Sequence, residues 1–543
     1  MGETTAIFDE AASRADQRPR FILTFADLPT IELTSFPSTA GSKERWGIIS
    51  KVGSFTGTVK PDEGRSDVSS VTVKVMDDDR FHQIVPLLVR NSQVQLKGGY
   101  RNILETDYTV LMTGLLEEPV LDPSLGEWTL RINDLKYFKL NSVFRTFGKT
   151  HLNGAIAAGD AVITVDSTNG SVSGDQAFHD PSKPCSGYLL IEDEIIAYTG
   201  WNATQFTGCS RGQLPYCGGS AASAHDDDKE VRELLIIYDN PVDIILKMLT
   251  STGTGTNGAY DAWEADQGLG IDVDMVDVAA FEQERDRFLS TDMYLFVLKK
   301  PEKCKEFLEK EIHRTINSYP TVTGEGLLSF RLYNPPWAYQ PDVLDEDNIA
   351  ELKKWERGLN DLINNIHFSW DYDVVKGEYM SQRYDLHADS INKHGLSSTW
   401  EMQSRGLYSV FQADSLISAR AYRMFTRYKD GPVSFEAKVF FGEFSADPGD
   451  IRSVTHPGLP DMARGVKGVA NTWMEIVSMR PDMAKGAIDL KMMDTRLAGR
   501  FCIITPNTYP SYAAATDDQR RHGGFICNAA EQMPNGDDPY LII

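Results

Sequence analysis

Between residues 20 and 145, apolar and polar positions alternate in short runs: FILTFADL, WGIISKV, SVTVKVMDD, SQVQLKGGY, YTVLMTGLLEEP and EWTLRINDLKYFKL. A period of two, broken by turn residues, predicts antiparallel strands with one buried face. Strands of this kind build a barrel or a sandwich. The texture changes over residues 148–232, which are rich in Gly, Ser, Thr and Ala. Strand-length apolar runs there are punctuated by Gly-Asp, Asn-Gly and Thr-Gly turns. This segment reads as a small inserted β domain, with Lys229 to Tyr238 returning to the parent. Its few large apolar residues predict that it buries little against the rest.

From residue 240 the period becomes helical. Asn240 stands at an N-cap and Pro241 at the first helical position of NPVDIILKMLTST. Residues 301–316 (PEKCKEFLEKEIHRTI) and 345–366 (DEDNIAELKKWERGLNDLINNI) also read as helices, the second with its acids at the N-terminal end. Strands return with HFSWDYDVV. An apolar helical pattern follows (Leu416, Ile417, Ala421, Met424, Phe425), ending at Tyr428-Lys429-Asp430-Gly431-Pro432. Then come the strand VSFEAKVFF, the turn Asp447-Pro448-Gly449-Asp450, the strand IRSVTH, a second Pro-Gly at 457–458, and two alternating runs flanking PDMAKG.

The expected architecture is mainly β with α (α+β, multidomain). It comprises a first β-barrel-like domain (1–147), the inserted small β domain (148–232), a helix-rich middle region (233–365), a second β-barrel-like domain (366–499) and a C-terminal β subdomain (500–543).

Length agrees, since 543 residues are too many for one core. A composition of 41% hydrophobic and 24% charged residues is that of an ordinary globular protein. Nowhere do eighteen apolar residues run together, so no membrane insertion is expected. The first twenty residues lack a basic start and an apolar core, and the expectation is a product made in the cytoplasm. The charge of −24, with no compensating basic run, argues against a grip on nucleic-acid backbone. It remains compatible with a surface past which nucleic acid slides.

Candidate chemistry is sparse. His225-Asp226-Asp227-Asp228 reads as a solvated charge run, because adjacent loop residues rarely converge on one ion. Asp272, Asp274 and Asp277 read as polar positions of a strand or turn. Glu192 and Glu194 share one side of LLIEDEIIAY, with Asp193 on the other. Paired catalytic carboxylates must face each other across a substrate about 5–9 Å wide, which a single hairpin seldom provides. The glycines of STGTGTNGAYD (251–261) follow a helix instead of opening one, so they cap it and do not cradle phosphate. Of the six cysteines, Cys185, Cys209 and Cys217 lie near one another in sequence, but their spacing matches no ligand pattern. They read as unpaired buried thiols. Cys502 and Cys527 are placed on neighbouring strands. No catalytic, cofactor-binding or metal residue is assigned, and no cofactor is expected.

Several stretches resemble one family. PVDIILKMLTSTGTGTNGAYDAWEADQGLGIDVDMVDVAAFE, SYPTVTGEGLLSFRLYNPP, AYRMFTRYKDGP, ADPGDIRSVTHPGLPD and YPSYAAATDDQRRHGGFICNAAEQMPNGDDPYLII occur in that order. Together they are similar to the tail-tip (baseplate) hub proteins of long-tailed bacteriophages. LLIEDEIIAYTG, FTGCSRGQLP and AASAH resemble a small β module recurrent in phage tail proteins. The resemblance implies a non-enzymatic virion protein at the tail tip, forming a homotrimeric ring of two barrel-like domains per subunit. Such a ring adapts a sixfold tail tube to a threefold tip. The partners it implies are the distal tail protein ring, the C-terminus of the tape measure protein, and spike, fibre or receptor-binding proteins. Genome DNA would pass through the lumen without sequence recognition, along a wall of neutral or negative potential. The PGD turn would then be a hairpin of the second barrel. The alternative is a tail-associated glycan-binding or envelope-degrading protein acting through residues 148–232, where Trp201 and Phe206 are the candidate aromatics.

Overall fold

The computed structural model describes residues 5–496 apart from 15–17, 38–42, 69, 89–91, 135–141, 324–325, 333–341, 412, 442–445 and 463–464. The expected subdomain at 500–543, with Cys502 and Cys527, lies outside the described residues.

The alternating runs of the N-terminal part form a nine-stranded sheet. Pro19–Phe25 pairs antiparallel with Gln93–Tyr100, which pairs with Thr109–Leu116, and the path continues through Glu127–Asp134 and Val71–Met76 to Ile49–Val52. Its other end is Glu44–Trp46. The two end strands follow each other in the chain, with only Gly47 and Ile48 between them. The sheet therefore curls until its edges are covalently adjacent, but no described pairing closes it into a barrel.

The second sheet has eight strands, in the order Val343–Leu344, Ile451–Asp461, Val466–Asp482, Ala487–Asp494, Val433–Phe440 and Ile349–Arg357. A hairpin from the N-terminal part, Gly57–Lys60 with Arg65–Val68, completes it by pairing Gly57 and Thr58 with Met479 and Ser478. This path is open too. The inner residues of both sheets, among them Leu23, Val73, Leu96 and Leu130 of the first and Phe435, Val439, Leu490 and Met492 of the second, form one hydrophobic core. Phe8 of the helix Ala6–Ala12 bridges them, its ring 5.2 Å from that of Tyr100 and 5.5 Å from that of Phe441. Two separate barrels were expected; the described residues instead give two open sheets sharing one core, because apolar faces of this width bury best against each other.

The predicted helix at 345–366 is instead the edge strand Ile349–Arg357, paired with Val433–Phe440. Register shifts between Ile349 and Glu351 and between Leu352 and Lys354 mark two bulges. Each bulge adds a residue, so Ile349, Leu352 and Trp355 all reach the core at a spacing of three. That spacing imitates a helical face. The PGD segment is a tight turn, with Asp450 N–H donating to Asp447 O at 2.9 Å and Gly449 at φ 99°. It is not a hairpin, because Ala487–Asp494 and Val466–Asp482 lie between the strands on either side of it. Pro457-Gly458 does not end its strand; a register shift between His456 and Pro460 absorbs both residues, and the strand runs to Asp461.

The middle region keeps its predicted helical start. Asn240 Oδ1 accepts from Val242 N–H at 3.0 Å, capping Pro241–Thr250, seven of whose side chains from Val242 onward are buried. Residues 304–316 are helical, with a π-helical stretch at Leu308–His313. Ala413–Tyr428 is the longest described helix and buries Ile417, Ala421 and Met424 in a second core. No helix among the described residues is long and apolar enough to cross a membrane.

Candidate functional site

The insert holds the densest group of residues singled out in the sequence. Tyr188–Ile191 and Glu194–Ala197 form a hairpin whose two-residue turn is Glu192-Asp193, with Glu192 at φ 53°. The turn lets both glutamates reach the same imidazole. His225 Nδ1 lies 2.8 Å from Glu192 Oε2, and its Nε2 lies 2.8 Å from Glu194 Oε2. Arg211 binds Glu194 in a fork, Nε to Oε1 at 2.8 Å and Nη2 to Oε2 at 2.7 Å. Gly212 and Ser223 donate backbone N–H groups to the same carboxylate. Burial opposes the charge of Glu194, but the bonds from Arg211, His225, Ser223 and Gly212 outweigh it and hold the carboxyl down at about 2. Such a group neither gives nor takes a proton near neutrality.

His225 is therefore not part of a solvated run: it is buried, while Asp226, Asp227 and Asp228 remain exposed. Charged residues around a histidine mask its burial in a sequence window. What the spacing does show is that the two glutamates act together; their joint partner lies 31 residues from Glu194 and is beyond local pattern. The cluster pins the loop 211–225 to the hairpin.

The aromatic pair that the alternative reading would need for glycan binding is not a surface platform. Phe206 is fully buried, packed edge-on between Phe178 and Tyr198 with ring centroids 4.9 and 4.7 Å away, and Trp201 lies against the same core. The three cysteines belong to three different cores, Cys185 beside the middle-region core, Cys209 in the insert and Cys217 at the seam. Burial pushes their thiols up to about 12, 11 and 12 respectively. Among the described residues no group of His, Cys, Asp and Glu has the arrangement to hold a metal.

The insert is also more firmly docked than its composition suggests. Strand Glu230–Asp239 serves both parts: its first half pairs with Lys149–His151 and Tyr188–Ile191, and its second half with Tyr294–Leu298 of the middle region. Leu190, Ile195, Cys217 and Leu234 form one core with Leu295, Val297, Val374 and Tyr408. At the opposite rim His179 joins Glu233 (Nδ1 to Oε2, 3.0 Å) to Asp266 of the middle region (Nε2 to Oδ2, 3.1 Å). Burial disfavours the imidazolium there, yet the bonds to Asp266 and Glu233 prevail and raise His179 to about 10. The seam residues run from His179 to Tyr408 along the chain and reveal themselves only when folded.

The remaining marked residues are joints. Asp272 and Asp277 cap the short helices Val273–Met275 and Val278–Glu284. In the loop 251–261, Asp261 accepts from Thr252 N–H and Asn257 N–H, and Asn257 Nδ2 donates to Thr250 O at 2.8 Å. The hairpin at 57–68, unmarked in the sequence, carries Asp62 to the helix Ala413–Tyr428. Asp62 accepts from the Tyr428 hydroxyl, and Arg427 Nη2 donates to the buried Glu475 Oε2 at 2.6 Å. Burial lifts Glu475 to about 7, against the attraction of Arg427.

No protein-family model matches the sequence, and no curated protein matches it. Among solved structures, the 43 kDa tail protein of prophage MuSo2 from Shewanella oneidensis is similar, with 8% identity and a TM-score of 0.35 over 88% of this chain and 99% of that one. Prophage tail protein gp18 from Listeria monocytogenes EGD-e has 9% identity and a TM-score of 0.31 over 88% and 95%. A chain of the native gene transfer agent virion has 10% identity and a TM-score of 0.20 over 42% and 83%.

Proposed function

We propose that this chain is a structural protein of a phage tail, a hub at the tail tip that assembles as a homotrimeric ring around the path of the ejected DNA. One observation carries the reading. Several of the described segments on which the resemblance rests pack cores or tie one part of the fold to another. Pro241–Thr250 and its capped loop fill the middle-region core. Helix Ala413–Tyr428 ties the N-terminal hairpin to the second sheet through Asp62 and Glu475. The PGD turn locks Asp450 to Arg331. The carboxylates that could have suggested hydrolysis are committed to internal bonds.

In this reading residues 1–147 and 366–499 are the two β modules of the ring, 233–365 the joint between them, 148–232 a docked accessory, and 500–543 a further subdomain. The partners are the distal tail ring, the tape measure C-terminus and a spike, fibre or receptor-binding protein. Native mass spectrometry of the full chain at increasing concentration tests the oligomer. A mass of three copies supports the ring, and a monomer at every concentration counts against self-assembly off the tail.

A further inference from the structure

A cavity lies beside the insert. It encloses about 510 Å³ between the strand Glu230–Asp239, residues 288–294, the segment 407–411 and the start of helix Ala413–Tyr428. Its lip is aromatic. Tyr238 is 51% exposed and packs at 5.1 Å, tilted by 39°, on Phe411. Tyr216 of the insert stands edge-on to Phe411 at 6.2 Å, and Val410 beside it is 59% exposed.

Asp292 lines the same cavity, and its side chain has no hydrogen bond or ion pair among the described residues. Burial pushes its pKa up. Arg420 and Arg423 also line the cavity. The Arg420 guanidinium is sealed from solvent against the face of Trp400, its nitrogens make no hydrogen bond among the described residues, and Asp62 at 4.0 Å offsets part of its charge.

These features select a ligand class by elimination. An anion would meet Asp292, and a cation would meet two arginines. A wholly apolar ligand would leave the Asp292 carboxyl desolvated and unpaired. A neutral polyhydroxyl ligand with a flat C–H face satisfies every wall: it stacks on exposed rings and donates hydroxyls to the acid.

We propose that this seam cavity is a binding site for a neutral oligosaccharide, with Tyr238 and Phe411 as the stacking platform and Asp292 as the hydroxyl acceptor. The site uses neither Trp201 nor Phe206 and does not depend on the ring or its position in a virion.

Saturation-transfer NMR on the full chain tests it, with maltopentaose, cellopentaose and chitopentaose as separate probes. At least one probe receives transfer from the parent protein. Tyr238→Ala and Asp292→Ala each weaken that binding about tenfold, whereas Tyr238→Trp retains it, and all three variants keep the parental Tm. Absence of transfer to all three sugars overturns the proposal. So does binding that is indifferent to Tyr238→Ala and Asp292→Ala, or displacement of the bound sugar from the cavity by an apolar peptide alone.

Discussion

Glu194 shows how a single buried carboxylate is turned from a candidate acid into a fastener. It has no exposed surface and receives bonds from Arg211, His225 and two backbone N–H groups. Glu194→Ala leaves Arg211 buried without its partner and is expected to cost about 3–5 kcal/mol, read as a lower urea midpoint for the insert. The sign of the pH effect follows from a lowered pKa. The stabilisation is present above the ordinary 4.5 and is lost as pH falls toward about 2. His179 has the opposite sense, being raised. Its contribution is whole below 6.5 and is lost as pH climbs toward about 10. His179→Gln should flatten the alkaline limb of the stability profile and also weaken the acid limb, because the bond from His179 helps hold Asp266 down at about 2. Gly449 is a second residue-scale test. It sits at φ 99°, and a Cβ there would overlap the Tyr319 hydroxyl. Gly449→Ala is expected to cost at least about 1–3 kcal/mol, visible as a lower Tm.

At the scale of elements, the hairpin 57–68 is the least obvious and most consequential piece. It leaves the first sheet, adds to the second and places Asp62 among Arg420, Arg427 and Tyr428. Asp62→Ala should cost about 1–3 kcal/mol and raise hydrogen exchange in residues 57–68 before it does so in Pro19–Phe25. The insert gives the complementary test. Excising residues 149–228 would strip Leu190, Ile195 and Cys217 from Leu234, Leu295, Val297 and Tyr408. The shortened chain should melt well below the parent and expose apolar surface to a dye; an unchanged Tm would mean the seam contributes nothing.

Which elements were legible follows from the range of the forces that make them. The strands of SVTVKVMDD and SQVQLKGGY, the Asn240 cap and the helix at Ala413–Tyr428 are written in local period and capping chemistry. Ile349–Arg357 was misread because two bulges gave a strand a spacing of three. The burial of His225 and Phe206 and the seam around Leu295 depend on partners distant in sequence, so no window of the chain contained them. The Tyr238–Phe411–Asp292 cavity is likewise assembled from segments up to 173 positions apart.

At the scale of the whole molecule, two open sheets share one core and are strapped together by the N-terminal hairpin. In the proposed ring, three subunits of two β modules each would present six similar faces to a tail tube. In the proposed reading, the excess of acidic over basic residues (78 against 54) would suit a wall that passes DNA without holding it, because a basic lining would bind phosphate by counterion release. The most direct measurement is a cryo-electron microscopy reconstruction of the tail tip in virions that carry this chain. Three copies in a ring around an open channel whose inner surface has neutral or negative potential are expected. Absence of the chain from the tail, or a ring lined by a continuous belt of Arg and Lys, would contradict that expectation.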